Sequence, residues 1–64
     1  MIGNMIKHYR TVKAIPVKEL ADKVGVSEIT IRYWETGVRK PKLDNVKKLA
    51  KIFKIKVEDL TQYL

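Results

Sequence analysis

The sequence predicts an all-α domain, a compact bundle of four to five helices. Three observations point there. Apolar residues recur at three- and four-residue spacing in five segments, and no run alternates at the two-residue strand period. Pro16 and Pro41 fall between segments rather than inside them. Gly25 and Gly37 follow the ends of two segments, where a left-handed backbone stops a helix. The chain has 64 residues, so one domain spanning 1–64 is the ceiling. No linker, repeat or low-complexity tract divides it.

The first helix is expected from about Ile2 to Lys13, with Ile2, Met5, Ile6, Tyr9 and Val12 on one face. The second follows Pro16, which suits a first turn because it has no N–H to leave unpaired. It carries Val17, Leu20, Ala21 and Val24 inward and places Glu19 where the helix dipole favours a carboxylate. The third starts at Ser27, whose hydroxyl accepts from a free first-turn N–H, and ends near Thr36. VRKPK then forms a basic loop, because Pro41 blocks a continuous helix. The fourth runs from about Leu43 to Phe53, with Val46, Leu49, Ala50 and Phe53 inward and Lys47, Lys48, Lys51 and Lys54 outward. A short fifth, Val57 to about Tyr63, turns Val57 and Leu60 inward.

Fourteen Lys and Arg against seven Asp and Glu give a formal net charge of +7. That excess on so short a chain favours a polyanionic partner, nucleic acid above all, over a merely soluble basic domain. The absence of cysteine excludes disulfides and thiolate metal sites. No apolar run approaches the ~20 residues that span a bilayer, and MIGNMIKHYR has no secretory apolar centre; a cytoplasmic protein is expected. Catalysis finds little support. His8 is the single histidine, placed beside Lys7 on the outer side of the first helix, and Asp44, Glu58 and Asp59 read as helix-start charges. We expect no enzyme, metal or cofactor.

The segment from Val17 to Gly37 is the most informative. Two short helices crossing steeply need a small residue where they touch, which Ala21 supplies, and a sharp reversal, which Gly25 allows. On a wheel of about 100° per residue, Ile31, Trp34 and Glu35 share one side of the third helix. Ile29, Arg32, Tyr33 and Thr36 fall on the far side, with Thr30 at the flank. An outward isoleucine there fits a thymine methyl; Arg32 suits guanine or a phosphate; Tyr33 and Thr36 can donate to either. Glu28 either stabilises its own helix start or accepts from a cytosine amino group. This is the build of a helix-turn-helix that reads the major groove.

The chain resembles the Cro and phage-repressor (XRE) helix-turn-helix family over nearly its full length. The shared residues are Ile2-Gly3, Ile6, Arg10, Glu19-Leu20-Ala21 and Val24-Gly25-Val26-Ser27, then Ile31, Trp34-Glu35, Gly37, Pro41, Leu49-Ala50-Lys51, Val57 and Leu60. The resemblance implies a lambda-repressor-like bundle and a sequence-specific double-stranded DNA-binding transcriptional regulator, a repressor acting as a dimer. In it Glu28, Ile29, Thr30, Arg32 and Tyr33 look like the base-reading set. Arg10, Val17, Thr36, Arg39, Lys40, Lys42 and Asn45 look like the DNA-backbone set, while Ala21, Gly25, Ile31, Trp34 and Glu35 hold the frame. Arg10 and Glu35 look like the family's ion pair. The chain departs from the pattern in three places. Pro16 and Val17 stand where a hydroxyl residue and Gln are common, Lys54 stands for a helix-ending Gly, and Lys56 for a capping hydroxyl.

A homodimer through Val57, Leu60, Tyr63 and Leu64 would read a palindromic operator; alternatively those four close the monomer core. The competing functional class is a protein-interaction module on the same fold, an antirepressor or toxin–antitoxin type partner. Ile29, Tyr33 and the basic loop favour DNA over it.

Overall fold

Each of the five expected helices forms. The computed structural model describes residues 1–64 and contains α1 (Ile2–Val12), α2 (Val17–Val24), α3 (Glu28–Thr36), α4 (Leu43–Phe53) and α5 (Glu58–Thr61), with no strand. The α2–α3 corner follows from two residues. Ala21 is buried where the helices meet, and Gly25 adopts φ 88°, ψ 33° to cap α2. The Gly25 and Val26 N–H groups both donate to the Ala21 carbonyl, at 2.8 and 3.0 Å. A Cβ on Gly25 would meet nothing within 4 Å. Glycine is needed there for its dihedral, not for space.

The other helices brace that corner. α1 lies against α3, α2 against α3 and α4, and α5 against α1 and α4. Ile6, Leu20, Ile31, Val46, Leu49, Phe53 and Leu60 are wholly buried in one cluster that Ile2, Ala21, Val24 and Trp34 extend. Each such side chain contributes about 1.5–3 kcal/mol by leaving water. The Tyr9 and Phe53 rings stack at 5.8 Å between centroids and join α1 to α4.

Four expectations need correction. Val12 is 65% exposed: it sits in the last turn of α1 about 80° from Ile2 and about 120° from Ile6 around the helix, at the rim of the stripe that those residues bury. Leu60 is not available to a partner chain, because α5 lies across α1 and α4 and drives it fully into the core. Val57 is half-buried against the same cluster, so only Tyr63 and Leu64 remain of the expected apolar strip. The fifth helix ends at Thr61, and the residues to Leu64 continue as tight turns. Ile15 and Pro41 join the buried set from interhelical segments.

Two non-glycine residues, one capping α4 and one just past the end of α1, lie in the left-handed region. Lys54 has φ 59°, ψ 46° at the end of α4, where the sequence offers no glycine. Ala14 has φ 55° after α1. At the start of α5 the Lys56 N–H donates to the Asp59 carboxylate at 3.2 Å, the reciprocal half of a capping box, while no side chain caps the helix N–H groups themselves.

Candidate nucleic-acid interface

α3 is fixed at its start, along its inner side and at its end. Ser27, extended at φ −77°, ψ 159°, accepts from the Thr30 N–H at 3.2 Å, and the two hydroxyls lie 2.9 Å apart. Inward, Ile31 and Trp34 are buried as expected. At the far end Gly37 takes φ 84°, and the Arg39 N–H donates back to the Tyr33 carbonyl, six residues earlier, at 3.2 Å.

The outer face stays open. Ile29 is 55% exposed, and Glu28, Arg32 and Thr36 are exposed beside it. Thr30 and Tyr33 are half-buried. The Arg39 guanidinium sits 5.7 Å from the Tyr33 ring centroid, a cation–π contact that holds both side chains at one edge of the face. The Thr36 hydroxyl donates to the Arg32 carbonyl at 2.8 Å, so its single proton is used within the helix.

Arg10 and Glu35 meet as a two-bond fork. Arg10 Nε donates to Glu35 Oε2 at 2.6 Å and Nη2 donates to Oε1 at 3.2 Å. Nη1 donates to the Ile15 carbonyl at 3.2 Å. The two side chains are only 17% and 8% exposed, so this is a part-buried tie between α1 and α3, not a surface pair.

Beyond α3 the loop presents Arg39, Lys40 and Lys42 to solvent, while buried Pro41 anchors it. Asn45 is half-buried in the first turn of α4, and its N–H donates to the Asp44 carboxylate at 3.0 Å. Val17 packs against the core, and its N–H meets no acceptor within the molecule. The structure therefore brings Arg10 to Glu35 and Tyr33 to Arg39. Two features escaped the sequence reading. Gly3 is a contact point between α1 and α3, signalled by an isolated glycine inside a helical pattern. Lys7 lines the same cleft as Arg32, for which no sequence spacing gives a signal.

A family model described as helix-turn-helix matches residues 6–60. The chain belongs to the XRE-type helix-turn-helix family. Its similarity to individual members spans the whole bundle. A helix-turn-helix-type transcriptional regulator of Methanocaldococcus jannaschii is 40% identical over 60 residues, covering 94% of this chain and 91% of that one. The cryptic phage CTXphi transcriptional repressor RstR of Vibrio cholerae is 32% identical over 60 residues. That match covers 94% of this chain and 54% of the repressor, so the chain spans about half of that protein. Among solved structures, the biofilm master regulator SinR in complex with DNA superposes with a TM-score of 0.87 at 31% identity. It covers 95% of this chain and 98% of that one. The family is one of DNA-binding transcription regulators. No helix of this member is long and apolar enough to cross a membrane.

Proposed function

We propose that this helix-turn-helix chain is a sequence-specific double-stranded DNA-binding transcriptional regulator of the repressor type, reading the major groove with α3. One observation carries the reading. A capped helix keeps Ile29, Arg32 and Thr36 exposed on the side away from its buried Ile31 and Trp34, with Glu28 exposed in its first turn and three exposed loop cations beyond its end. A helix set out in this way fits the groove, and cations at its rim meet the phosphate ridges.

In this reading Ile29 packs on a thymine methyl, and Thr30 and Tyr33 face base edges. Glu28 accepts from cytosine or serves its own helix start, and Arg32 takes a guanine edge or a phosphate. Arg39, Lys40 and Lys42, with Asn45 and the free Val17 N–H, hold the sugar–phosphate chain. Arg10 orients the face through Glu35. Thr36 contributes to the backbone set only by giving up its bond to the Arg32 carbonyl. Two copies, paired through the exposed Tyr63 and Leu64, read palindromic half-sites about 34 Å apart. Selection from randomised duplexes at two salt concentrations tests the reading: an enriched, symmetric motif supports it, and recovery of random sequence contradicts it.

One feature favours a protein partner as well. A cleft of about 240 Å³ opens between Met1, Trp34, Tyr63 and Leu64, with Arg39 and Lys40 at its edge. A protein seated there would lie against two of the loop cations and compete with DNA for them.

A further inference from the structure

A second, wholly polar cleft of about 210 Å³ opens between α1 and α3, lined by Lys7, Arg10, Arg32, Glu35 and Thr36. Arg10 and Glu35 neutralise each other across its floor at 2.6 Å. Lys7 and Arg32 rise from the two walls, both exposed, and neither has an acidic partner within 4.0 Å. Two uncompensated cations on separate elements thus face one small opening. The opening lies along the flank of α3, since Arg32 also borders the exposed face that carries Ile29. The walls cannot drift apart, because the Arg10–Glu35 fork and the backbone contact at Gly3 clamp α1 to α3.

We infer that this cleft holds a DNA phosphate, gripped by Lys7 from α1 and by Arg32 from α3. The inference rests on the DNA-binding reading and deepens it in two ways. It adds Lys7, and with it α1, to the contact surface, and it assigns Arg32 to the sugar–phosphate chain instead of a guanine edge. The chemistry fits the side chains. A phosphodiester presents two anionic oxygens, which suit the guanidinium fork on one side and the ammonium point charge on the other. Thr36 supplies no donor, because its proton is committed to the Arg32 carbonyl at 2.8 Å. Sequence preference then falls to Ile29, Thr30, Tyr33 and Glu28, and the cleft fixes how α3 lies along the groove.

The test measures binding to a selected duplex and to a random duplex across a range of salt. For Lys7→Ala we expect an equal fractional loss on both duplexes and a salt slope smaller by about 0.9. The gap between wild type and variant then widens roughly eightfold for each tenfold fall in salt. Lys7→Arg restores the slope. Arg32→Ala also weakens both duplexes equally, and Arg32→Lys keeps the wild-type ratio between them. Replacing single phosphates by neutral methylphosphonates locates the contact, as one position where Lys7→Ala causes no further loss. Lys7 is exposed, so unchanged thermal midpoints confirm intact folding in its variants. An unaltered slope in Lys7→Ala, a selective loss of the preferred duplex in Arg32→Ala, or additive effects at every methylphosphonate overturns the cleft while leaving the DNA reading intact. A wild-type chain that binds neither duplex defeats both.

Discussion

Gly3 of α1 and Trp34 of α3 meet backbone to backbone. A Cβ added to Gly3 would lie 2.2 Å from the Trp34 carbonyl oxygen and 2.9 Å from that of Glu35. No side-chain rotation relieves a clash with backbone oxygens, so any larger residue must push α1 off α3. We therefore expect Gly3→Ala to cost more than about 2 kcal/mol, at the upper end for overpacking. In a domain of this size each kcal/mol lowers the melting temperature by roughly 4–8 °C. Calorimetry checks this, and a change below about 0.5 kcal/mol would contradict so close an approach.

The Arg10–Glu35 fork supplies the second prediction. Glu35→Ala strands a part-buried guanidinium with only the Ile15 carbonyl as partner, at a cost on the order of 3 kcal/mol. Replacing both residues by apolar ones of similar size should cost much less than the sum of the single changes. Denaturant unfolding of the four chains of this cycle measures the coupling. Additive losses would place the pair in open solvent.

A third prediction concerns Lys54 at φ 59°. Leaving the left-handed region to glycine relieves about 1–2 kcal/mol, offset by about 0.4–1 kcal/mol of added chain entropy in the unfolded state. Lys54→Gly should thus stabilise by about 0.5–1 kcal/mol, while Lys54→Ala should not. Equal effects of the two variants would show that the charge, not the backbone, decides.

DNA affinity should separate the two contact classes. Ile29→Ala and Tyr33→Ala should weaken the selected duplex more than a random one, by about 1–3 kcal/mol. Lys40→Ala should weaken both alike and flatten the salt slope by about one unit. Binding curves on paired duplexes measure both, and equal losses for Ile29→Ala would move that side chain out of base readout.

The frame of the molecule was legible because it depends on local signals. Gly25, Ser27 and Gly37 act through their own dihedrals and hydrogen bonds, and Ala21 through its small side chain, all of which residue type and position reveal. Ile31 and Trp34 followed from helical phase alone. What escaped depends on which elements meet. Val12 falls at the rim of the apolar stripe of α1 and stays exposed, and only the packing of α5 across α1 and α4 decides between the two alternatives left open for Leu60. Ile15 and Pro41 are buried from segments without a period to read. Lys7 in one cleft with Arg32, Arg39 over Tyr33 and Gly3 against Trp34 are pairs distant in sequence, created only when α1, α3 and the basic loop assemble. Helical phase set out the exposed face of α3 in advance, but which of its side chains are already engaged, as the Thr36 hydroxyl is, required the three-dimensional arrangement.

Amide chemical-shift mapping of the isotope-labelled chain, titrated with its selected duplex, tests the central claim most directly. The account predicts that the largest shifts fall on Glu28 to Tyr33 and on the loop from Val38 to Lys42. Shifts confined to the lysine-bearing side of α4, at Lys47, Lys48 and Lys51, with α3 unmoved, would contradict it.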